Sequence, residues 1–520
     1  MQRDPSCLPP RVRAMRLAHG ARMIATRSLG PRMAPIDPLR GQGMHYISTR
    51  GAMDPAGFTD VLLSGLAPDG GLAVPAQLPA LSADRLQEWR ALDYPALATE
   101  VIGLFATDVP REDLAAMTAA AYGPQRFPAP VVPVTAIDIG PEAEGLALVG
   151  LSEGPTMAFK DLAMQFLGQA IPYVLSRQGR VLNILGATSG DTGSAAEHAF
   201  RGQEGVSVFM LSPAGRMSAV QRAQMYSLQD ANIHNIAVRG VFDDCQALVK
   251  ALSNDAAFKA EHSLGAVNSI NIGRIAAQAV YYVWAWLRLT DGLEEGRRES
   301  QKVDVCVPSG NFGNIYAGHL ARSMGVPIRR LILATNENNV LEEFFTTGIY
   351  APRSAEATLA TSSPSMDISR ASNLERFLWA LLGPEAFVER WAELESTGRL
   401  DLSDEVERMR EDFGFEAGTS THADRLAAIR LVHERTGAVI DPHTADGVTV
   451  ALRLMEPGFP TLVMETAKAA KFPDTVDEAL GRQVLDSRIV ELLALPQRFE
   501  TIDNEQEPLR SLIAQRAIRA

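Results

Sequence analysis

The sequence predicts an α/β fold: parallel sheets with helices on both faces, preceded by a small, mostly helical unit. Three observations predict it. From residue 181 onward, short apolar runs rich in β-branched residues alternate with amphipathic stretches, the pattern of βαβ units. Two of those runs end in loops of Gly, Ser, Thr and Asn that lead straight into helical periodicity. Residues 44–127, by contrast, carry mostly helical periodicity. The chain has 520 residues, enough for about two to four domains.

The first 43 residues stand apart. They hold Arg3, Arg11, Arg13, Arg16, Arg22, Arg27, Arg32 and Arg40, no Lys, and only Asp4 and Asp37 as acids, a net +6. This is the composition of an organelle transit peptide, and equally of a disordered tail or of a start placed upstream of Met15, Met23, Met33 or Met44. An Arg-rich, poorly ordered extension is expected over 1–43. Residues 44–51 (MHYISTRG) then read as a short strand running into a turn. Helices are expected over 59–66, 84–92, 94–105 and 111–121. The Pro-rich break at 127–130 marks a boundary, giving an N-terminal domain at 44–127 and a catalytic domain at 128–480. In the latter, strands are expected at 181–186, 206–211, 233–238, 303–307 and 328–334, and helices at 162–173, 194–200, 218–228 and 243–252. Residues 481–520 are a C-terminal extension whose packing the sequence leaves open.

Composition narrows the function. Hydrophobic residues make up 46% and charged residues 21%, the balance of a globular protein. A net charge of −13 repels phosphate backbones, so no nucleic-acid partner is expected. The most apolar stretch, 275–287, is shorter than a membrane span and carries Gln278, so it reads as a buried helix rather than a membrane anchor. Cys7, Cys245 and Cys306 are far apart, with no CxxC. The nine histidines include no HExxH or HxH, so no metal is expected.

The loops carry the chemistry. Ala187-Thr188-Ser189-Gly190-Asp191-Thr192-Gly193 and Pro308-Ser309-Gly310-Asn311-Phe312-Gly313-Asn314 each join a strand to a helix. Glycine admits close backbone approach, and helix first-turn amides stabilise negative charge, so two such loops suit two anionic groups. Read as patterns alone, they are also plain turns. Lys160, in Glu153-Gly154-Pro155-Thr156-Met157-Ala158-Phe159-Lys160-Asp161, sits where a loop becomes a helix. In an apolar setting its amine becomes a neutral nucleophile. As a solvated first-turn residue it simply pairs with Asp161.

Taken together, GPTMAFKD, GATSGDTGSAA, SGNFGN, NSINIGR (268–274) and SPSMDIS (363–369), with MHYISTRG ahead of them, resemble threonine synthase of the longer class. The likeness runs over more than 400 residues, from Met44 to Phe472. It implies a fold-type-II, tryptophan-synthase-β-like enzyme of two α/β subdomains. The implied cofactor is pyridoxal 5′-phosphate, and the implied reaction converts O-phospho-L-homoserine and water to L-threonine and phosphate in the cytoplasm. The same likeness implies the residue roles. Lys160 matches the imine-forming lysine, which also moves protons. Gly310, Asn311, Phe312, Gly313 and Asn314 match the cofactor-phosphate cradle. Asp191 lies near the cofactor O3′, where an acid would need O3′ or itself protonated, and Thr466 meets the pyridine nitrogen. Thr188, Ser189, Gly190 and Thr192 are implied as donors to the substrate α-carboxylate. Arg274, Lys468 and Lys471 are candidate cations for the substrate phosphate by proximity to motifs, and each is also a possible surface charge. His443-Thr444-Ala445 resembles a family segment near the active site.

The sequence departs from the family at Lys468-Ala469, where His-Pro is expected, and at Ile272, where an aromatic is usual. Rival readings are another fold-type-II enzyme, such as a threonine dehydratase or cysteine synthase, and a silent homologue that binds phosphorylated ligands. The N-terminal unit and SPSMDIS argue against the first, and the presence of Lys160 with both loops argues against the second. Oligomeric state and allosteric control are not legible.

Overall fold

Two parallel sheets organise the chain. The structure, a computed structural model, describes residues 43–519 apart from residue 485. The expectation for 1–43 therefore lies, but for Gly43, outside the described residues. The larger sheet runs Phe415–Thr419, Ile328–Thr335, Val303–Pro308, Thr461–Glu465, Leu146–Gly150, Val134–Ala136, and only the last pair is antiparallel. The second runs Glu500–Asp503, Ile233–Arg239, Val206–Pro213, Leu182–Ala187, Leu264–Gly265, all parallel. Val206–Pro213 and Val303–Pro308 are buried at every residue, as unalternating apolar strands covered on both faces must be. Asp304 is tolerated inside such a strand because Arg329 and Arg330 both bond its carboxylate at the end of the sheet away from the loops.

The five strands expected between 181 and 334 all occur, each within two residues of its expected bounds. Alternation of strand and helix could not show that three of them belong to one sheet and two to another. Strands Leu146–Gly150, Phe415–Thr419 and Thr461–Glu465 were not anticipated. Leu146–Gly150 and Thr461–Glu465 are short runs that periodicity cannot tell from pieces of helix, and Phe415–Thr419 (FEAGT) is too polar to stand out as a strand.

In the N-terminal unit the helices are Phe58–Ser64, Ala83–Glu88, Tyr94–Gly103 and Arg111–Ala121. Ser82 and Asp93 cap two of them through their side chains. Helix Ile272–Thr290 packs against Tyr94–Gly103, Lys160–Gln178 and Gly313–Met324, and is buried all round from Ile272 to Leu287. Among the described residues no helix is long and apolar enough to cross a membrane.

The end of the chain completes the second sheet. Glu500–Asp503 adds its edge strand, and helix Gln506–Arg516 places Leu509, Leu512 and Ile513 in a core with Ile236, Leu248 and Leu252. The residues expected as an extension are thus part of that sheet's own packing.

Candidate active site

Every loop singled out in the sequence leaves the carboxyl end of a parallel strand, where ligands of open α/β sheets bind. Strand Leu146–Gly150 leads to the turn before Lys160, Leu182–Ala187 to Asp191, Val303–Pro308 to the glycine cradle, and Thr461–Glu465 to Thr466. Lys160, Asp191, Thr192, Arg274, Gly310, Asn311, Phe312, Gly313, Asn314 and Thr466 line one cavity. Ser269, Gln278, Ser309, Ser365 and His443 line it too.

Lys160 is the first residue of helix Lys160–Gln178, and Met157 just before it takes a positive φ of 56°. Its Nζ donates to Asp191 Oδ2 at 3.3 Å and lies 5.2 Å from the Phe159 ring centre. Burial pushes the amine below its ordinary range; Asp191 opposes this, while Lys471 and Arg274 add to it. Lys160 approaches Asp191 because their helices meet closely. A Cβ on Gly168 would lie 2.3 Å from the Ala199 carbonyl oxygen, so only glycine allows the contact.

Asp191 has a second, stronger partner. Lys471 is fully buried, with Nζ 2.8 Å from Asp191 Oδ1 and 2.8 Å from the Thr156 carbonyl oxygen to which it donates. Burial would raise the Asp191 carboxyl, but Lys471 and then Lys160 outweigh it and hold it well below the usual carboxylate range. Both lysines thus favour the ionised form of Asp191. Ser365 Oγ donates to the oxygen that faces Lys160, at 3.0 Å.

At the other end of the cavity, Phe312 adopts φ 63° and opens helix Gly313–Met324. A left-handed phenylalanine costs about 1–3 kcal/mol, offset by its packing on Phe345, Phe377 and Phe415. The turn presses against the 363–369 segment. A Cβ on Gly310 would meet the Met366 Cα and the Ser365 carbonyl oxygen, both at 3.3 Å.

Several donors here have no protein partner. Arg274 Nε and Nη1, Ser309 Oγ and Asn314 Nδ2 are all buried and unbonded among the described residues. Burial lowers the Arg274 guanidinium to about 10. A buried cation without a carboxylate is costly unless an anion reaches it. Donors without acceptors, a tight glycine turn at a helix N-terminus and a desolvated amine are what a phosphorylated aldehyde and an anionic substrate require.

Some expected residues lie elsewhere. Thr188 Oγ1 accepts from the Gly190 and Gly193 amides at 3.0 and 2.9 Å, so it shapes the turn; Ser189 is exposed, and neither residue nor Gly190 lines the cavity. Lys468 is held by Glu153 and Glu465 outside it. Lys471 is spent on Asp191. Neither lysine is free for a substrate phosphate, because a nearer carboxylate has taken each charge. Reading the sequence also missed Ser309, Gln278 and the part played by Ser365. Ser365 stands in SPSMDIS, so the signal was present without its role.

Family models match three stretches of the chain: "Threonine synthase N terminus" over 45–122, "Pyridoxal-phosphate dependent enzyme" over 124–459 and "Threonine synthase, C-terminal" over 444–513. A threonine synthase of Methylobacillus glycogenes is 50% identical over 479 residues, covering 91% of this chain and 100% of its own. One of Corynebacterium glutamicum is 51% identical over 484 residues, covering 90% and 98%. The crystal structure of PLP-bound threonine synthase from Brucella melitensis superposes with a TM-score of 0.86 at 38% identity, covering 92% and 100%.

Proposed function

The chain belongs to the threonine synthase family of pyridoxal-phosphate-dependent enzymes, and from that premise we propose how its own residues carry the conversion of O-phospho-L-homoserine and water to L-threonine and phosphate. It is a lyase that takes pyridoxal phosphate as cofactor. When bound, the cofactor supplies an electron sink that acidifies hydrogens on the substrate carbons.

Lys160 would hold the cofactor through its aldehyde, and burial, which lowers the amine's pKa, favours the neutral form that such a bond needs. With substrate bound, the same nitrogen would take and return protons at the substrate carbons. Gly310, Asn311, Phe312, Gly313 and Asn314 hold the cofactor phosphate, since first-turn amides of a helix have no carbonyl within the helix to meet. Thr466 offers a neutral hydroxyl to the ring nitrogen. Asp191, kept ionised by Lys471, accepts from the cofactor's O3′ side.

Substrate recognition falls to two places. Thr192 and the first turn of helix Asp191–Phe200 receive the α-carboxylate, with Thr188, Ser189 and Gly190 shaping that turn. Arg274 receives the leaving phosphate, because it is the buried cation in the cavity whose donors remain unspent. A cytoplasmic location belongs to the same reading.

The observation that carries it is the desolvated amine of Lys160 sharing one cavity with the glycine turn and with Arg274. Borohydride reduction followed by peptide mapping should place the cofactor on Lys160. Lys160→Ala should leave no fixed adduct and lower phosphate release by at least about 1,000-fold. An adduct on any other lysine would overturn the assignment. Phosphate released from phosphohomoserine, measured against ammonia released from threonine, separates this activity from that of a dehydratase.

A further inference from the structure

His443 touches neither Lys160 nor the glycine cradle through any hydrogen bond, yet its ring is fixed at both nitrogens. It is buried, at the start of helix Pro442–Leu454, whose N-cap is Asp441. Nδ1 lies 2.8 Å from Asp441 Oδ1, and Nε2 lies 3.1 Å from the backbone nitrogen of Ser365. A backbone N–H can only donate, so Nε2 must accept. The hydrogen of the ring then sits on Nδ1, bonded to Asp441. The Phe472 ring meets it in a tilted, edge-type contact, 4.7 Å between centres.

The bonds continue from there. Ser365, held at its amide, donates its hydroxyl to Asp191 Oδ2, the oxygen that also meets Lys160. Charge-assisted bonds compete for a carboxylate's lone pairs. A hydroxyl on Oδ2 therefore weakens the hold of Asp191 on the Lys160 amine.

Resting on the assignment of Lys160 as the cofactor lysine, we propose that His443 is a positioning residue: its Nε2 lone pair anchors Ser365, whose hydroxyl occupies Asp191 Oδ2 and so loosens the grip of that carboxylate on the Lys160 amine. The charged groups around this chain of contacts come from several elements. Lys160 faces Asp191, Lys471 and Arg274. His443 faces Asp441 at its own N-cap, Asp446 on its own helix, Asp367 from the 363–369 segment, and Asp191. None of the others bonds the Ser365 amide among the described residues, so the anchoring falls to His443.

The test follows the rate at which cofactor-free protein takes up pyridoxal phosphate across pH, because only a neutral amine attacks the aldehyde. His443→Leu removes the acceptor. Its uptake midpoint should rise by about one pH unit, which is about tenfold slower uptake at a fixed pH below the midpoint. Ser365→Ala should produce the same rise, and the double variant no more than either alone. His443→Gln, whose amide oxygen can stand where Nε2 stands, should stay near the parent midpoint. Imidazole nitrogen shifts in the cofactor-free protein, with His443→Gln as the assignment control, should show a hydrogen on Nδ1 and none on Nε2.

An unmoved midpoint in Ser365→Ala would overturn the proposal, and that variant decides even if His443→Leu does not fold. So would additive shifts in the double variant, a glutamine variant that shifts as far as the leucine variant, or an imidazole carrying hydrogens on both nitrogens. Mapping the reduced adduct in the same samples keeps the two readings apart. An adduct away from Lys160 sinks the functional assignment, whereas an adduct on Lys160 with an unmoved midpoint sinks only the role of His443.

Discussion

Lys471 shows how burial with one partner turns a lysine from a ligand candidate into a fixed counter-charge. Fully enclosed, and 2.8 Å from Asp191, it leaves Lys160 as the amine free to react. Lys471→Met keeps the length and removes the charge. At pH 7 the loss should be about 3 kcal/mol or more, since an ionised carboxylate is left short of its main partner. The native Asp191 pKa is depressed, so the stability it contributes is present above the unfolded value of about 3.9 and disappears as pH falls through the folded value. Urea unfolding should therefore show the gap between variant and parent widest near neutrality and narrowing below about pH 4. A gap independent of pH would mean that packing, not charge, is what Lys471 contributes. None of this was legible in the sequence. Lys160 declared itself by standing beside Phe159 at a helix start, but the pairing of residues 191 and 471 depends on a strand and a turn brought alongside from the far end of the chain.

Helix Asp191–Phe200 carries two carboxyl groups of opposite character. Asp191 at its first turn is ionised, while Glu197, buried two turns on, has its carboxyl pushed up to about 8 by burial, with the Asn235 amide opposing. Asn235 Nδ2 donates to Glu197 Oε2 at 3.3 Å, and Glu197 Oε1 and Asn235 Oδ1 both lack a partner. A protonated carboxyl has a hydrogen to donate, and that orphaned amide oxygen has the lone pair to take it. Because the folded pKa lies above the unfolded value, the contribution of Glu197 is complete below about pH 4.3 and is lost as pH rises towards 8. Glu197→Gln reproduces the protonated group at every pH. It should gain about 4 kcal/mol over the parent at pH 8 and little at pH 4.5, read from urea midpoints. An equal effect at both pH values would contradict a protonated Glu197. Elements such as this helix were legible because Gly-Asp-Thr-Gly followed by an alanine-rich run marks a start and a body. Its buried acid was not, because a glutamate on one helix face looks solvated until a second layer covers it.

Across the whole molecule, the sequence carried the alternation of strands and helices, and family motifs carried the division into two α/β halves. Short strands with little apolar character escaped notice, among them Phe415–Thr419 (FEAGT) and Glu500–Asp503 (ETID), which sit at sheet edges. The latter matters for stability. Removing residues 497–520 would unpair Ile233–Arg239 and uncover Ile236, Leu248 and Leu252 as Leu509, Leu512 and Ile513 leave. Three buried aliphatic side chains are worth on the order of 5 kcal/mol. Limited proteolysis should then cut within residues 182–265 of the shortened chain, and resistance there equal to the parent's would show that the sheet stands without its last strand. The same strand bears on biosynthesis. Of the strands in its sheet Glu500–Asp503 is made last, so its neighbours can assemble before it is available to pair. Until that strand arrives, Ile233–Arg239 presents an open flank, in the half of the enzyme that holds Asp191, to other chains in the crowded cell.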